Sequence, residues 1–237
     1  MLFSIVFMRT GEPAMNPVKI SYFTDALCVW AYVSQIRMDE LKANFKDAVE
    51  IECRYFHVFG NVSSKMDTAW KQRGGLSAYR QHVREVVEKF GHVELHERTW
   101  QADVPKSSMP AHLWLCAIRD VQTAARCAPG SSDRAAWAFR DAFFRHGRDI
   151  SQAKVLLEIV ESIGLPAAEI RDAVATGAAY AALADDLELA RAQSIAASPT
   201  LLFNEGRQRL TGNVGYRIIE ANIRELLEAS PGQLSWC

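Results

Sequence analysis

The chain has 237 residues, 49% of them hydrophobic and 23% charged, with a formal net charge of −1. That length and composition suit a globular protein with a sizeable buried core. The balanced charge argues against nucleic acid or an anionic membrane as partner.

Five cysteines, Cys28, Cys53, Cys116, Cys127 and Cys237, are odd in number and form no close pair. Such spacing argues against a disulfide scaffold and for a reducing compartment, so a cytoplasmic protein is expected. The apolar stretch Leu2–Met8 is short and has no basic residue before it, unlike a signal peptide. Residues 1–16 are expected to be a flexible extension, with folded sequence beginning near Met15. No apolar run is long enough for a membrane-spanning helix.

In chain order, Val18–Phe23 alternates and is rich in strand formers. Residues 31–45 carry Val33, Ile36, Met38 and Leu41 at helical spacing without Gly or Pro. Residues 49–56 alternate again, so a strand-helix-strand unit with parallel strands is expected. Helices are then expected near 64–73, 76–90, 108–127, 132–146, 151–163 and 166–193, with Ser132 and Ser151 as N-caps and an irregular loop over 91–107. Strand signals return at 200–203 and 207–211, joined by a turn at Asn204-Glu205-Gly206, before a helix over 214–227. Two short strands cannot form a stable sheet alone. Both ends of the chain are therefore expected to share one sheet.

The chemistry concentrates at Cys28, in Asp25-Ala26-Leu27-Cys28-Val29-Trp30-Ala31, between the first strand and the first helix. The first turn of a helix offers unpaired N–H groups and the positive end of the macrodipole. A thiol there is expected to have a lowered pKa and to act as a nucleophile. A C-x-x-C pair would need a second cysteine at 31, where the chain has Ala31. His57 ends the second strand, where ligands of such sheets bind, and could orient or deprotonate Cys28. His112 could reach the site from the middle helices; helix packing is the alternative. His92 and His96 lack a third ligand, so no metal is expected. Cys53, Cys116 and Cys127 fall on apolar faces and read as core.

The order of elements, a cysteine at the first helix and Ser198-Pro199-Thr200 before the third strand together resemble the thioredoxin fold, in its DsbA-like branch. Asp25-Ala26-Leu27-Cys28-Val29-Trp30-Ala31 is similar to the D-x-x-C-P-W-C site of FrnE-type members, with Val29 and Ala31 departing from it. Ser108-Met109-Pro110-Ala111-His112-Leu113 is similar to a T-x-x-A-H-R-L stretch of the inserted helices, and Leu210-Thr211-Gly212-Asn213 resembles the closing strand-helix junction. The frame Asp25-Ala26-Leu27-Cys28 also resembles the D-x-L-S-P site of kappa-class glutathione transferases and 2-hydroxychromene-2-carboxylate isomerases.

The resemblance implies an α/β protein with a thioredoxin-like fold, interrupted by a large all-helical insertion between its β-α-β and β-β-α halves. Residues 17–62 and 198–229 would form the thioredoxin-like domain and 63–197 the inserted helical domain. It implies a catalytic pair of Cys28 and Pro199, the latter in a cis peptide bond. Trp30, Ser198 and Asn213 would contact substrate or glutathione. No tightly bound cofactor is implied; glutathione would serve as co-substrate. Partners would be a protein or small-molecule disulfide, or glutathione, and a second copy of the chain is admissible.

Three functions fit: a monothiol oxidoreductase, a kappa-type glutathione transferase or glutathione-dependent isomerase, and a binding module that kept the fold without the chemistry.

Overall fold

The computed structural model describes residues 16–228. The extension expected over 1–16, Asn16 apart, and Cys237 lie outside them. Within the described residues four strands form one mixed sheet, β1 (Val18–Thr24), β2 (Val49–Tyr55), β3 (Thr200–Phe203) and β4 (Gln208–Thr211), in the order β2-β1-β3-β4.

β1 runs parallel to β2, with Val18 opposite Val49 and Thr24 opposite Tyr55. A parallel pair needs a crossover, and α1 (Val29–Phe45) supplies it. β3 lies antiparallel to β1 and β4 antiparallel to β3, closing the hairpin. Residues far apart in sequence, such as Ile20 and Phe203, thus become neighbours in one sheet.

The period of two along the strands separates two apolar faces. Val18, Ile20 and Tyr22 of β1 join Val49, Leu201 and Phe203 on one face. Met38 and Leu41 of α1 cover that face together with Ile219, Ile223 and Leu226 of the C-terminal helix α9 (Tyr216–Glu228). Phe23 and Leu202 point to the other face and pack with Phe56 and Ala190.

Between β2 and β3 the chain is helical: α2 (Val62–Thr68), α3 (Gly75–Val87), α4 (Met109–Thr123), α5 (Ser131–Phe144), α6 (Ala153–Ser162), α7 (Ala167–Ala175) and α8 (Ala178–Ala192). This is the thioredoxin-like fold with its helical insertion. The insertion has its own core, which includes Tyr79, Trp100, Ile118, Phe139, Phe144 and Leu183 and is continuous with Leu27–Val33 of the first β-α junction.

Asp186 of α8 ties the insertion to the sheet. Its fully buried carboxylate accepts from Arg54 Nη1 at 3.0 Å, from the Tyr55 backbone N–H at 2.9 Å and from Arg119 Nη1 at 2.8 Å. Arg119, on α4, also donates to the Cys53 carbonyl at 2.7 Å.

Several local expectations need correction. The alanine-rich run expected as one helix over 166–193 is two, because Gly177 takes φ +89 and ends the first. That left-handed conformation is open to glycine and stops helix propagation. The stretch 64–73 is likewise α2, capped by Asn61 through the Ser64 N–H at 2.9 Å, followed by a short 3-10 turn at Lys71–Arg73. Ser132 lies inside α5, whose N-cap is Gly130; α6 starts after Gln152, so neither Ser132 nor Ser151 caps. The 91–107 stretch is irregular as expected, yet it delivers Trp100 to the core, 1% exposed.

Candidate active site

The site is built where β1 ends and α1 begins. Cys28 is the N-cap of α1, in extended conformation, and its carbonyl accepts the first intrahelical bond from Tyr32 N–H at 3.1 Å. A tight turn precedes it, closed by Cys28 N–H donating to the Asp25 carbonyl at 3.1 Å.

The turn before β3 packs against this junction. The Ser198–Pro199 peptide bond is cis. Cys28 Sγ donates to the Ser198 carbonyl at 3.2 Å, and Asp25 N–H donates to Ser198 Oγ at 3.0 Å. Cys28 and Ser198 therefore meet, across 170 positions in sequence, with Pro199 next to Ser198 in the cis bond. Ala31, fully buried, sits in the first turn of α1 where a resolving thiol would stand.

The thiol itself differs from expectation. The helix terminus predicts a lowered pKa, but Cys28 is raised. Burial is the largest cause; Cys28 is 5% exposed, and the nearby Asp25 carboxylate adds to the effect. A hydrogen bond from Ser198 and the backbone N–H groups of Ala31 and Trp30 oppose it without prevailing. The magnitudes explain why: a helix terminus contributes about 0.3–1 kcal/mol, whereas complete burial shifts a group by up to about 3–5 pKa units. At about 1.4 kcal/mol per unit, desolvation wins.

Below the turn lies a polar cluster with no exposure to solvent. Asp25 Oδ1 accepts from Leu27 N–H at 2.8 Å, and Oδ2 accepts from Phe59 N–H and Ser108 Oγ, both at 2.8 Å. His112 Nε2 lies 3.0 Å from Ala26 N and 3.6 Å from Asp25 Oδ1. Burial pushes the Asp25 carboxyl up; His112 and the N–H groups of Leu27 and Phe59 outweigh it, and the carboxyl titrates below its ordinary value. The same Nε2 faces both groups, so it accepts from Ala26 N–H when unprotonated and faces the Asp25 carboxylate as a cation when protonated. Nδ1 is buried without a hydrogen-bond partner, and the ring stacks on Tyr55 at 5.5 Å.

The side chains of the remaining sequence candidates have neighbours of their own. Trp30 is half-buried and lies against His82 of α3, with ring centroids 6.0 Å apart, among the apolar residues of the insertion. Asn213 is exposed, three residues ahead of α9, and its Oδ1 accepts from Arg37 of α1. His57 is exposed and lines a surface cavity with Phe56, Leu187 and Ile195. Neither His57 nor Asn213 is a hydrogen-bond partner of Cys28; the histidine bonded to the active-site turn is His112. The signal for it is the pair Ser108 and His112, one helical turn apart at the start of α4, a spacing that also fits ordinary helix packing.

Among the described residues no group of three or more His, Cys, Asp or Glu side chains is disposed to hold a metal. His92 Nε2 instead lies 2.9 Å from the Val33 carbonyl, and His96 Nδ1 accepts from Arg98 N–H. Cys28, Cys53, Cys116 and Cys127 are all free thiols. Cys116 is fully buried; Cys53 and Cys127 are only partly so, though both pack against apolar cores. No helix of the described residues is long and apolar enough to cross a membrane.

A family model described as a DSBA-like thioredoxin domain matches residues 19–224. Among solved structures, a disulfide isomerase homologue from Nitrosomonas europaea superposes with a TM-score of 0.68 at 16% identity, covering 90% of this chain and 96% of that one. The cytosolic disulfide reductase DsbM from Pseudomonas aeruginosa gives 0.65 at 16% identity, covering 87% and 98%. At these identities the likeness is one of fold. Among curated proteins, the ClpXP adapter protein SpxH of Bacillus licheniformis is 33% identical over 97 residues. That match spans 39% of this chain and 32% of SpxH, about a third of the relative's length.

Proposed function

The chain belongs to the DSBA-like thioredoxin-domain family, and from that premise we propose that it is a single-thiol, glutathione-linked thiol-disulfide oxidoreductase with Cys28 as nucleophile. One observation carries the reading: Cys28 Sγ lies at the N-terminus of α1 against Ser198-Pro199, and Ala31 stands where a second thiol would close an internal disulfide. The family and the oxidoreductases among its structural neighbours support a thiol oxidoreductase. A solved structure of DsbM is described as being with GSH, which supports a glutathione-linked cycle here.

In this cycle Cys28 loses its proton, and the thiolate attacks one sulfur of a disulfide substrate. The S–S bond breaks, a mixed disulfide forms on Cys28, and the other half leaves as a thiolate. Ala31 cannot resolve that bond. A glutathione thiolate attacks it instead: with a glutathionylated Cys28, this releases oxidised glutathione and regenerates the thiolate. The electrons come from glutathione, so a reducing compartment suits the reaction, in keeping with the scattered free cysteines. The raised Cys28 pKa makes attack slow until substrate binding or movement of the turn exposes the sulfur.

The test is incubation with oxidised glutathione followed by intact-mass and peptide mapping. One glutathione on Cys28, absent from Cys28→Ser and removed by excess reduced glutathione, is expected. A Cys28 that alkylates readily but never accepts glutathione would sink the proposal.

A second reading, a thioredoxin-fold binding module, is favoured by the burial of the thiol and by the match to a protein named as an adapter. It predicts partner capture that survives Cys28→Ser.

A further inference from the structure

The helical insertion touches the nucleophile's turn through a small, wholly buried set of polar groups. Ser108 and His112 sit one turn apart at the start of α4, and both are 0% exposed. Ser108 Oγ donates to Asp25 Oδ2 at 2.8 Å. Ser108 N–H donates to the Phe59 carbonyl at 3.0 Å, while Phe59 N–H returns a bond to the same Asp25 oxygen at 2.8 Å. His112 Nε2 accepts from Ala26 N–H at 3.0 Å.

These bonds span 83 and 86 positions of sequence and converge on two residues, Asp25 and Ala26. The same two residues fix the thiol. Asp25 holds Cys28 N–H with its carbonyl and Ser198 Oγ with its own N–H. The register of that turn decides where α1 begins and how deeply Sγ sits against the Ser198 carbonyl. In a site this dry, an N–H left without an acceptor costs about 1–3 kcal/mol, enough to reshape a short turn.

We propose that His112 is a positioning residue for Cys28: as the side-chain acceptor of Ala26 N–H, its Nε2 keeps the turn closed and the thiol sheltered, so that α4 of the insertion governs the reactivity of a sulfur it does not bond. The inference concerns the thiol and its turn; it rests on Cys28 being the reactive group of the proposed function and not on glutathione being the partner. A displacement of α4 by whatever binds the insertion would reach Cys28 through this bond. Ser108 anchors the carboxylate side of the turn and leaves the Ala26 side to His112.

The distinguishing experiment follows the rate of Cys28 alkylation by iodoacetamide against pH, mapped by peptide mass, alongside thermal unfolding. Three variants are compared in the full chain. His112→Gln carries an oxygen at about the reach of Nε2 and retains an acceptor for Ala26 N–H. His112→Leu removes the acceptor at similar volume, and His112→Asn is too short to supply it. In His112→Leu the turn opens, burial no longer holds the thiol up, and the alkylation midpoint falls toward that of an ordinary thiol. Alkylation at fixed neutral pH then rises about tenfold, one unit of pKa. His112→Gln keeps the wild-type midpoint.

If His112→Leu does not fold, the comparison of His112→Asn with His112→Gln carries the same test. A midpoint unchanged in the folded acceptor-free variant, whatever its melting temperature, overturns the proposal, as does a His112→Gln midpoint displaced as far as that of His112→Leu. Failure of wild-type Cys28 to accept glutathione would strike the proposed function and leave this result standing.

Discussion

Cys28 Sγ donates to the carbonyl oxygen of Ser198 at 3.2 Å, which seats the thiol against the turn that carries the cis Ser198–Pro199 bond. Burial pushes the thiol's pKa up, and together with Asp25 it outweighs the Ser198 hydrogen bond and the Ala31 and Trp30 N–H groups, which favour the thiolate. The alkylation midpoint of Cys28 is therefore expected above the ~8.5 of an ordinary thiol. A midpoint below that value, read from the Cys28 peptide against pH, would show that the helix terminus dominates after all.

The same shift links to stability. A thiol whose pKa is higher folded than unfolded binds its proton more tightly in the native state. Its contribution is fully present below the unfolded pKa and is lost as pH rises through the folded one. Cys28→Ala is expected to fall less steeply in stability than the parent above about pH 8.5, as measured by urea unfolding at several pH values. Parallel curves would contradict the assignment.

Asp25 acts on the acid side. Its carboxyl is held below its ordinary value of 3.8, so its contribution is present above that value and lost as pH falls through the folded pKa. Asp25→Asn removes this acid dependence and sets an amide N–H₂ against donors from Phe59 and Ser108. A loss of about 1–3 kcal/mol at neutral pH is expected from the unsatisfied donors. Equal stability of variant and parent at pH 7 would show that the cluster is not anionic.

Asp186 is the buried counter-ion for Arg119 and Arg54, joining α8, α4 and β2. Asp186→Asn keeps the shape but leaves Arg119 without its buried carboxylate and Arg54 with Glu52 alone. The loss of one partner from a buried ion pair costs about 3–5 kcal/mol. Denaturant unfolding should report a loss of that order, while an effect below about 1 kcal/mol would class the pair with exposed ones.

Ala31→Cys tests what the missing cysteine means. The new thiol would lie in the first turn of α1, three residues after Cys28. Disulfide-reducing turnover of a protein substrate with dithiothreitol is expected to rise above that of the parent, at a packing cost of about 1–3 kcal/mol because Ala31 is fully buried. A folded variant with an internal disulfide and no gain in turnover would favour the binding-module reading.

The sequence by itself determined the parts whose cause is local. Alternation in Val18–Phe23 and residues 49–56 and the helical spacing of residues 31–45 follow from periods of 2.0 and 3.6 residues, which need no knowledge of the partner, and the motif around Cys28 is contiguous in sequence. The order of these elements pointed to the thioredoxin-like fold and to its helical insertion. What the tertiary structure alone decided is the chemistry of the sulfur. Whether a helix terminus or a dry environment governs Cys28 depends on how deeply Ser198, Asp25 and the insertion enclose it, a matter of packing between segments far apart in sequence. The choice between His57 and His112 has the same origin. A strand-end histidine faces solvent and a helix-start histidine reaches the turn because the start of α4 is bonded to Asp25 and Ala26, and neither residue's neighbours in sequence record that.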